Sequence, residues 1–323
     1  MMRTKTIIAI IFLILVIAGT AWLAFFRGNR VYASTKLTTH DAGYAWPNMG
    51  NSAFTCIETG LAVRSSSGDV VVQTASIAKI ITALAVMRKQ PLSPGQKGQT
   101  YVIIPADVER YRAYVAKGCS VLPVRTGLKL TQYEAMQRML IASDNNMADL
   151  LAERVFGSRH AYLIYAAAML KMMGLARTVI TDANGVSAAT VSTPSELIVI
   201  GTAALNNPVI AKIVSQRRAH LPGTGTIKNT NRLLGTADVI GIKTGTTQKA
   251  GSCLLFASRY TNVHGQRRTI VAAVMGSSNH ETLYRDSRVL LSSVRQRIEQ
   301  YDQQIKADRL SSPLASKNPT SVH

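Results

Sequence analysis

Ile240-Gly241-Ile242-Lys243-Thr244-Gly245-Thr246 is an apolar run that turns polar at its end. Two more apolar runs follow, Ser252 to Arg259 and Thr269 to Gly276, with Gly265 marking the turn between them. Each is short, rich in strand-forming residues and bounded by turn residues, so the three read as consecutive strands. The other end of the chain carries similar pieces. Ala53 to Ile57, Leu61 to Arg64 and Val70 to Val72 alternate with the turns Glu58-Thr59-Gly60 and Ser65 to Asp69.

Between these ends the period changes to that of helices. From about Ala75 to Met87, Ile77, Ile80, Ile81, Leu84 and Ala85 recur at helical spacing. Ala78 and Val86 fill other faces, which marks a buried helix. Thr131-Gln132-Tyr133-Glu134 has the form of a capping box and opens a helix to about Ala142. A second helix runs from about Asn146 to Phe156 and stops at Gly157. Thr193-Pro194-Ser195-Glu196 starts another, which ends before Asn206-Asn207-Pro208. A last amphipathic helix covers about Asp286 to Ile305. Strands at both ends and helices between predict an α/β (α+β) domain at 52–310. Its α/β part takes about 52–94 and 226–310, and an inserted helical part about 95–225. Residues 311–323 read as a loose tail and 34–51 as a linker.

Three strings along this frame carry chemistry. Ser76 and Lys79 lie three apart, hence on one helical face. A serine hydroxyl needs a neighbour to take its proton, and a lysine does this once burial or a second cation lowers its pKa. Ser76 also falls in the first turn, where its own N–H is free to meet an oxyanion. Ser143-Asp144-Asn145 sits at the break between two helices. There Ser143 can relay a proton, Asn145 can hold both Lys79 and a substrate amide, and Asp144 reads as a cap. Lys243, on a strand, offers positive charge for a carboxylate, and Thr244 a hydroxyl. Gly245 leaves room for substrate along the strand edge, and the N–H of Thr246 supplies a second oxyanion donor. Taken singly, each string has a plainer explanation as caps and strand ends. Their order together does not.

The set S-x-x-K, S-D-N and K-T-G resembles the signature of penicillin-binding proteins and class A β-lactamases. The likeness extends to Gly127-Leu128-Lys129-Leu130-Thr131 and Asn145-Asn146-Met147-Ala148-Asp149. It also takes in Asp182-Ala183-Asn184-Gly185-Val186-Ser187 and Lys228-Asn229-Thr230-Asn231-Arg232-Leu233-Leu234. Over about residues 50–300 the chain is similar to the serine-type D-Ala-D-Ala carboxypeptidases. That resemblance implies an antiparallel sheet flanked by helices, with a helical insert. It implies Ser76 as acyl-enzyme nucleophile, Lys79 as its proton acceptor, and Ser143 and Asn145 completing the network. Lys243 and Thr244 would bind the terminal carboxylate of a peptidoglycan stem peptide. It also implies acylation of Ser76 by β-lactams, and no metal or organic cofactor. A class A β-lactamase calls for a glutamate in an E-x-x-L-N setting between the second and third strings. Glu153 and Glu196 are the two glutamates there, and neither has that setting. A non-catalytic β-lactam or wall-fragment receptor calls for a signalling segment inside the cell.

Ile7 to Phe26 is apolar without a charge, long enough as a helix to match the roughly 30 Å core of a bilayer. The expectation is a single-pass anchor within residues 1–33, with the catalytic domain outside the cell membrane. The alternative is a signal segment cut after Ala33, where Val31-Tyr32-Ala33 has small-residue character. The chain carries 37 basic and 17 acidic side chains, a net +20. Such a surface suits a membrane surface and anionic wall polymers. Nucleic acid is not expected, because basic and aromatic residues do not interleave. The six histidines lack H-E-x-x-H spacing, which disfavours a zinc peptidase. Of the three cysteines, Cys253 reads as a buried apolar filler, and Cys56 and Cys119 leave a bridge open.

Overall fold

The structure, a computed structural model, describes residues 38–39, 43–48, 51–66 and 70–311. The expected span Ile7–Phe26, the Ala33–Ser34 junction and residues 312–323 lie outside the described residues. In chain order the strands are β1 (Thr38–Thr39), β2 (Asn51–Cys56), β3 (Leu61–Arg64), β4 (Val72–Gln73), β5 (Thr100–Val102), β6 (Lys129–Thr131), β7 (Val191–Ser192), β8 (Arg218–Leu221), β9 (Gly225–Lys228), β10 (Val239–Thr247), β11 (Gly251–Thr261) and β12 (Arg267–Ser277). The helices are α1 (Ala78–Lys89), α2 (Pro105–Ala116), α3 (Gln132–Ile141), α4 (Asn145–Phe156), α5 (Arg159–Met172), α6 (Pro194–Asn206), α7 (Pro208–Val214) and α8 (His280–Ser311).

The main sheet runs β1-β3-β2-β12-β11-β10. It is antiparallel except where β1 lies parallel to β3. β2 from the start of the domain pairs with β12 from its end, so the two sequence ends do form one sheet. Both faces are covered, as the alternation of apolar residues requires. Ile270, Ala272 and Val274 share a core with Leu283, Leu290, Leu291, Val294 and Ile298 of α8. Val271, Ala273 and Met275 belong to the larger core built with the remaining helices.

The boundary of the helical part differs from the expected 95–225. α6 lies directly on β2, β11 and β12. At Gly201 an added Cβ would sit 2.9–3.1 Å from Val271, Leu255 and Ile242. α6 buries Leu197, Ile198, Ile200, Ala204 and Leu205, too much apolar surface for an outer helix. The β8–β9 hairpin also runs across residue 225. Three further boundaries move. The strand expected at Val70–Val72 is β4 at Val72–Gln73. α8 begins at His280 rather than Asp286, because Asn279 caps it through its side chain on Thr282 N (2.8 Å), and it runs on to Ser311 rather than ending at Ile305. Cys56, Cys119 and Cys253 are all free thiols, so the bridge left open between Cys56 and Cys119 does not form.

Candidate active site

Ser76 does not stand in the α-helix itself. It sits in a 3-10 turn, Ala75–Ile77, that leads into α1. Ala75 is held at φ +46° by two glycines pressed against it. A Cβ on Gly185 would lie 1.8 Å from Ala75 O, and one on Gly245 would meet Thr74 O at 2.9 Å and Ser76 N at 3.1 Å. The space that Gly245 leaves is therefore filled by the serine's own turn, not by ligand. That is a correction to the sequence expectation, and its cause is the close packing of β10 on this turn. Gly245→Ala has no flexible side chain to push aside. We expect a loss of about 1–3 kcal/mol in stability, read by thermal melting.

Lys79 points back one turn to Ser76, its Nζ 2.7 Å from Oγ. It also donates to Asn145 Oδ1 (2.6 Å) and to the Asn184 carbonyl (2.8 Å). The last two partners can only accept, whereas the hydroxyl can donate. A neutral Lys79 thus spends its two N–H groups on Asn145 and Asn184 and turns its lone pair to Ser76. Burial favours that neutral form. Lys79 is wholly buried, and desolvation pulls its pKa from 10.5 to about 7, against the opposing pull of Asp182, Asp144 and Asp149.

The second string forms the break between α3 and α4. Ser143 adopts φ +64°, Asp144 caps α4 through Asn146 N (3.1 Å), and Asn145 N is held by Ser120 O (2.9 Å). Asp144 faces away from Ser76 into a buried pair with Arg138 (3.0 Å), both side chains with no exposure. Arg138 also binds Thr224 Oγ1 and the carbonyls of Leu122 and Pro123. Truncating it would leave Asp144 buried without a counter-charge, held by the N–H groups at the start of α4. Arg138→Ala is expected to cost about 3–5 kcal/mol in a urea titration, and Asp144→Asn a comparable amount, because it leaves the buried Arg138 guanidinium without a counter-charge.

The third string lies on β10, the edge strand of the sheet. Lys243 is buried, and its Nζ donates to Ser143 Oγ and Thr244 O, both at 3.0 Å. Burial first, then the nearby Lys79 charge, hold its pKa well below the ordinary lysine range. Thr244 Oγ1 meets Thr230 Oγ1 at 2.7 Å, and Thr246 is exposed at the rim. The structure thus links Ser76, Lys79 and Asn145 in one set of contacts and Ser143 and Lys243 in another, the two joined through the backbone of the second string, with Thr244, Gly245 and Thr246 beside them.

Sequence reasoning assigned no role to Asn184, Tyr114 or Asp149. Asn184 Nδ2 donates to Tyr114 OH (2.6 Å) and Asp149 Oδ1 (3.2 Å), and Tyr114 OH donates to Asp149 Oδ2 (2.5 Å). This cluster fixes the carbonyl that receives Lys79. The available signal was the Asp182–Ser187 string, whose Asp182 binds Gly185 N and Ser187 N to fold the loop.

Known proteins resemble this chain. The chain is similar to a D-alanyl-D-alanine endopeptidase of Pseudomonas aeruginosa, 28% identical over 64% of this chain and 66% of that one. It thus spans just under two thirds of that relative. It is 27% identical to the D-alanyl-D-alanine carboxypeptidase DacB2 of Mycobacterium tuberculosis, over 68% of this chain and 72% of the relative. Among solved structures, the Streptomyces K15 DD-transpeptidase superposes with TM-score 0.65 at 22% identity, covering 80% of this chain and 98% of that one. Penicillin-binding protein D2 of Listeria monocytogenes, in its ampicillin-bound form, gives 0.62 at 20%, over 79% and 99%. At such identities the superpositions establish a common fold. Residues 53–279 match the peptidase S11 family pattern, described as D-alanyl-D-alanine carboxypeptidase, and the chain belongs to that family.

Proposed function

We propose that this protein removes the terminal D-Ala from peptidoglycan stem peptides through an acyl-enzyme on Ser76. One observation carries the reading: a buried Lys79 amine, its pKa near 7, lies 2.7 Å from a partly exposed serine hydroxyl. Neutral Lys79 takes the Ser76 proton as Oγ attacks the carbonyl of the penultimate D-Ala. The backbone N–H groups of Ser76 and Thr246 are the oxyanion donors. Ser143, tied to Lys243, passes a proton to the departing amine and is replenished by the proton that Lys79 took from Ser76, so Lys79 is neutral again as free D-Ala leaves. Water, deprotonated by the same lysine, then attacks the ester and restores Ser76. Lys243 and Thr244 orient the terminal carboxylate. β-Lactams enter the same path because their amide is a strained version of the same bond, and their esters leave slowly.

Such a substrate lies outside the cytoplasm. Placement on the outer side of the membrane, tethered by Ile7–Phe26 or released after Ala33, belongs to this proposal, as does attraction of the +20 chain to anionic wall polymers. The endopeptidase named among the relatives supports a second reading, in which the same acyl-enzyme forms on a cross-linked peptide. The test is incubation with a diacyl-D-Ala-D-Ala tripeptide and, separately, with a cross-linked muropeptide dimer. Free D-Ala from the tripeptide, abolished by penicillin, is the expected result. Cleavage of the dimer alone would select the endopeptidase. Rapid turnover of penicillin without peptide cleavage would select a β-lactamase.

A further inference from the structure

The carboxylate end of the site lacks an open cation in its strings. Lys243 is buried, and its ammonium is committed to Ser143 Oγ and Thr244 O. Thr244 and Thr246, two apart on β10, turn their hydroxyls to the opposite side of the pleat from Lys243 and Gly245. On that side stands His280, the first residue of α8, with its Nε2 2.9 Å from Thr246 Oγ1. Thr246 Oγ1 spends its single proton on Gly245 O (2.8 Å), so in this pair the imidazole N–H donates and the hydroxyl accepts.

The ring is held in place. It stacks on Tyr284 with centroids 6.4 Å apart and planes at 19°. Tyr284 OH donates to Thr230 O (2.9 Å), and Thr230 Oγ1 contacts Thr244 Oγ1 (2.7 Å). His280 and Tyr284 therefore bridge the two hydroxyl positions of the strand from outside. His280 itself is exposed to solvent at the rim.

We infer that His280 is a substrate-binding residue: the imidazole N–H that rests on Thr246 Oγ1 turns to the terminal carboxylate when substrate arrives, and so sets the preference for a free C-terminus. This rests on the function proposed above. An N–H donor, more strongly an imidazolium, suits a carboxylate and gives a carboxamide much less.

The test compares the diacyl-D-Ala-D-Ala tripeptide with its C-terminal carboxamide, and penicillin G with its methyl ester, across wild type, His280→Ala and His280→Arg. For His280→Ala the acid peptide should show a KM rise of about tenfold, the loss of one partly solvent-screened charge-assisted bond, with kcat within about twofold. The carboxamide and the methyl ester should scarcely notice the change, and His280→Arg should recover the acid substrates. Equal losses on acid and neutral substrates, or no loss on either, would overturn the inference while leaving the proposed function standing. A wild-type protein inert to the peptide but acylated by penicillin G would remove the peptidase reading, and the penicillin arms would still decide the role of His280. A wild type inert to both overturns the two together.

Discussion

Ser76→Ala is expected to lose D-Ala release and covalent penicillin labelling together. The change removes one oxygen from a partly exposed position and adds nothing. It leaves the turn that Gly185 and Gly245 enforce on Ala75 untouched, so the fold should survive. No other hydroxyl can replace it. Ser143 Oγ is held by Lys243, and among the described residues Ser76 carries the one hydroxyl that Lys79 Nζ meets. Removing a nucleophile from such a unit costs about 10⁶-fold in other serine enzymes, so the residual rate should sit at the assay floor. Stopped-flow labelling and D-Ala release read the two losses, and an unchanged thermal midpoint shows that chemistry, not folding, was removed.

Lys79→Met should be almost as damaging. Methionine keeps most of the stem volume in the core but offers no proton acceptor. General-base removal costs up to about 10⁴-fold, and we expect acylation by penicillin to slow by that order. The pH profile gives a sharper check. Lys79 works as the free amine and its pKa is about 7. Below that value each unit of acidity protonates it further, so kcat/KM should drop about tenfold per pH unit. Above about 7 the rate should level off. Lys243, lowered by burial and by Lys79, then loses its charge at a pH below the ordinary lysine range, and carboxylate binding weakens as pH rises. In Lys79→Met the acid limb should vanish. A wild-type limb with no inflection near 7, under conditions where the protein stays folded, would contradict the role given to Lys79.

Much of this is legible in the sequence because local rules govern it. The Thr131–Glu134 capping box closes reciprocally, with Glu134 N on Thr131 Oγ1 (3.3 Å) and Thr131 N on Glu134 Oε2 (2.8 Å). Gly157 ends α4 at φ +85°, and Thr193 caps α6. Strands β10 to β12 announce themselves because they are buried on both faces. α2 gives no such signal, since Asp107 is its one buried residue and no apolar stripe exists to read. The 3-10 turn at Ser76 is equally silent. Its geometry comes from Gly185 and Gly245, more than a hundred residues away in the chain. The Tyr114–Asp149–Asn184 cluster is also nonlocal, and a polar residue does not disclose its distant partner. His280 hides for the same reason: only the packing of α8 on β11 and β12 brings its first residue to Thr246.

The central claim is that three distant segments meet so that Ser76 becomes an acylated nucleophile. Intact mass measurement after penicillin treatment, followed by peptide mapping, tests it most directly. The account predicts one penicilloyl group per chain, carried by the peptide that contains Ser76 and absent from Ser76→Ala. An adduct mapped to any other residue, or a folded wild-type protein that takes up none, would contradict it.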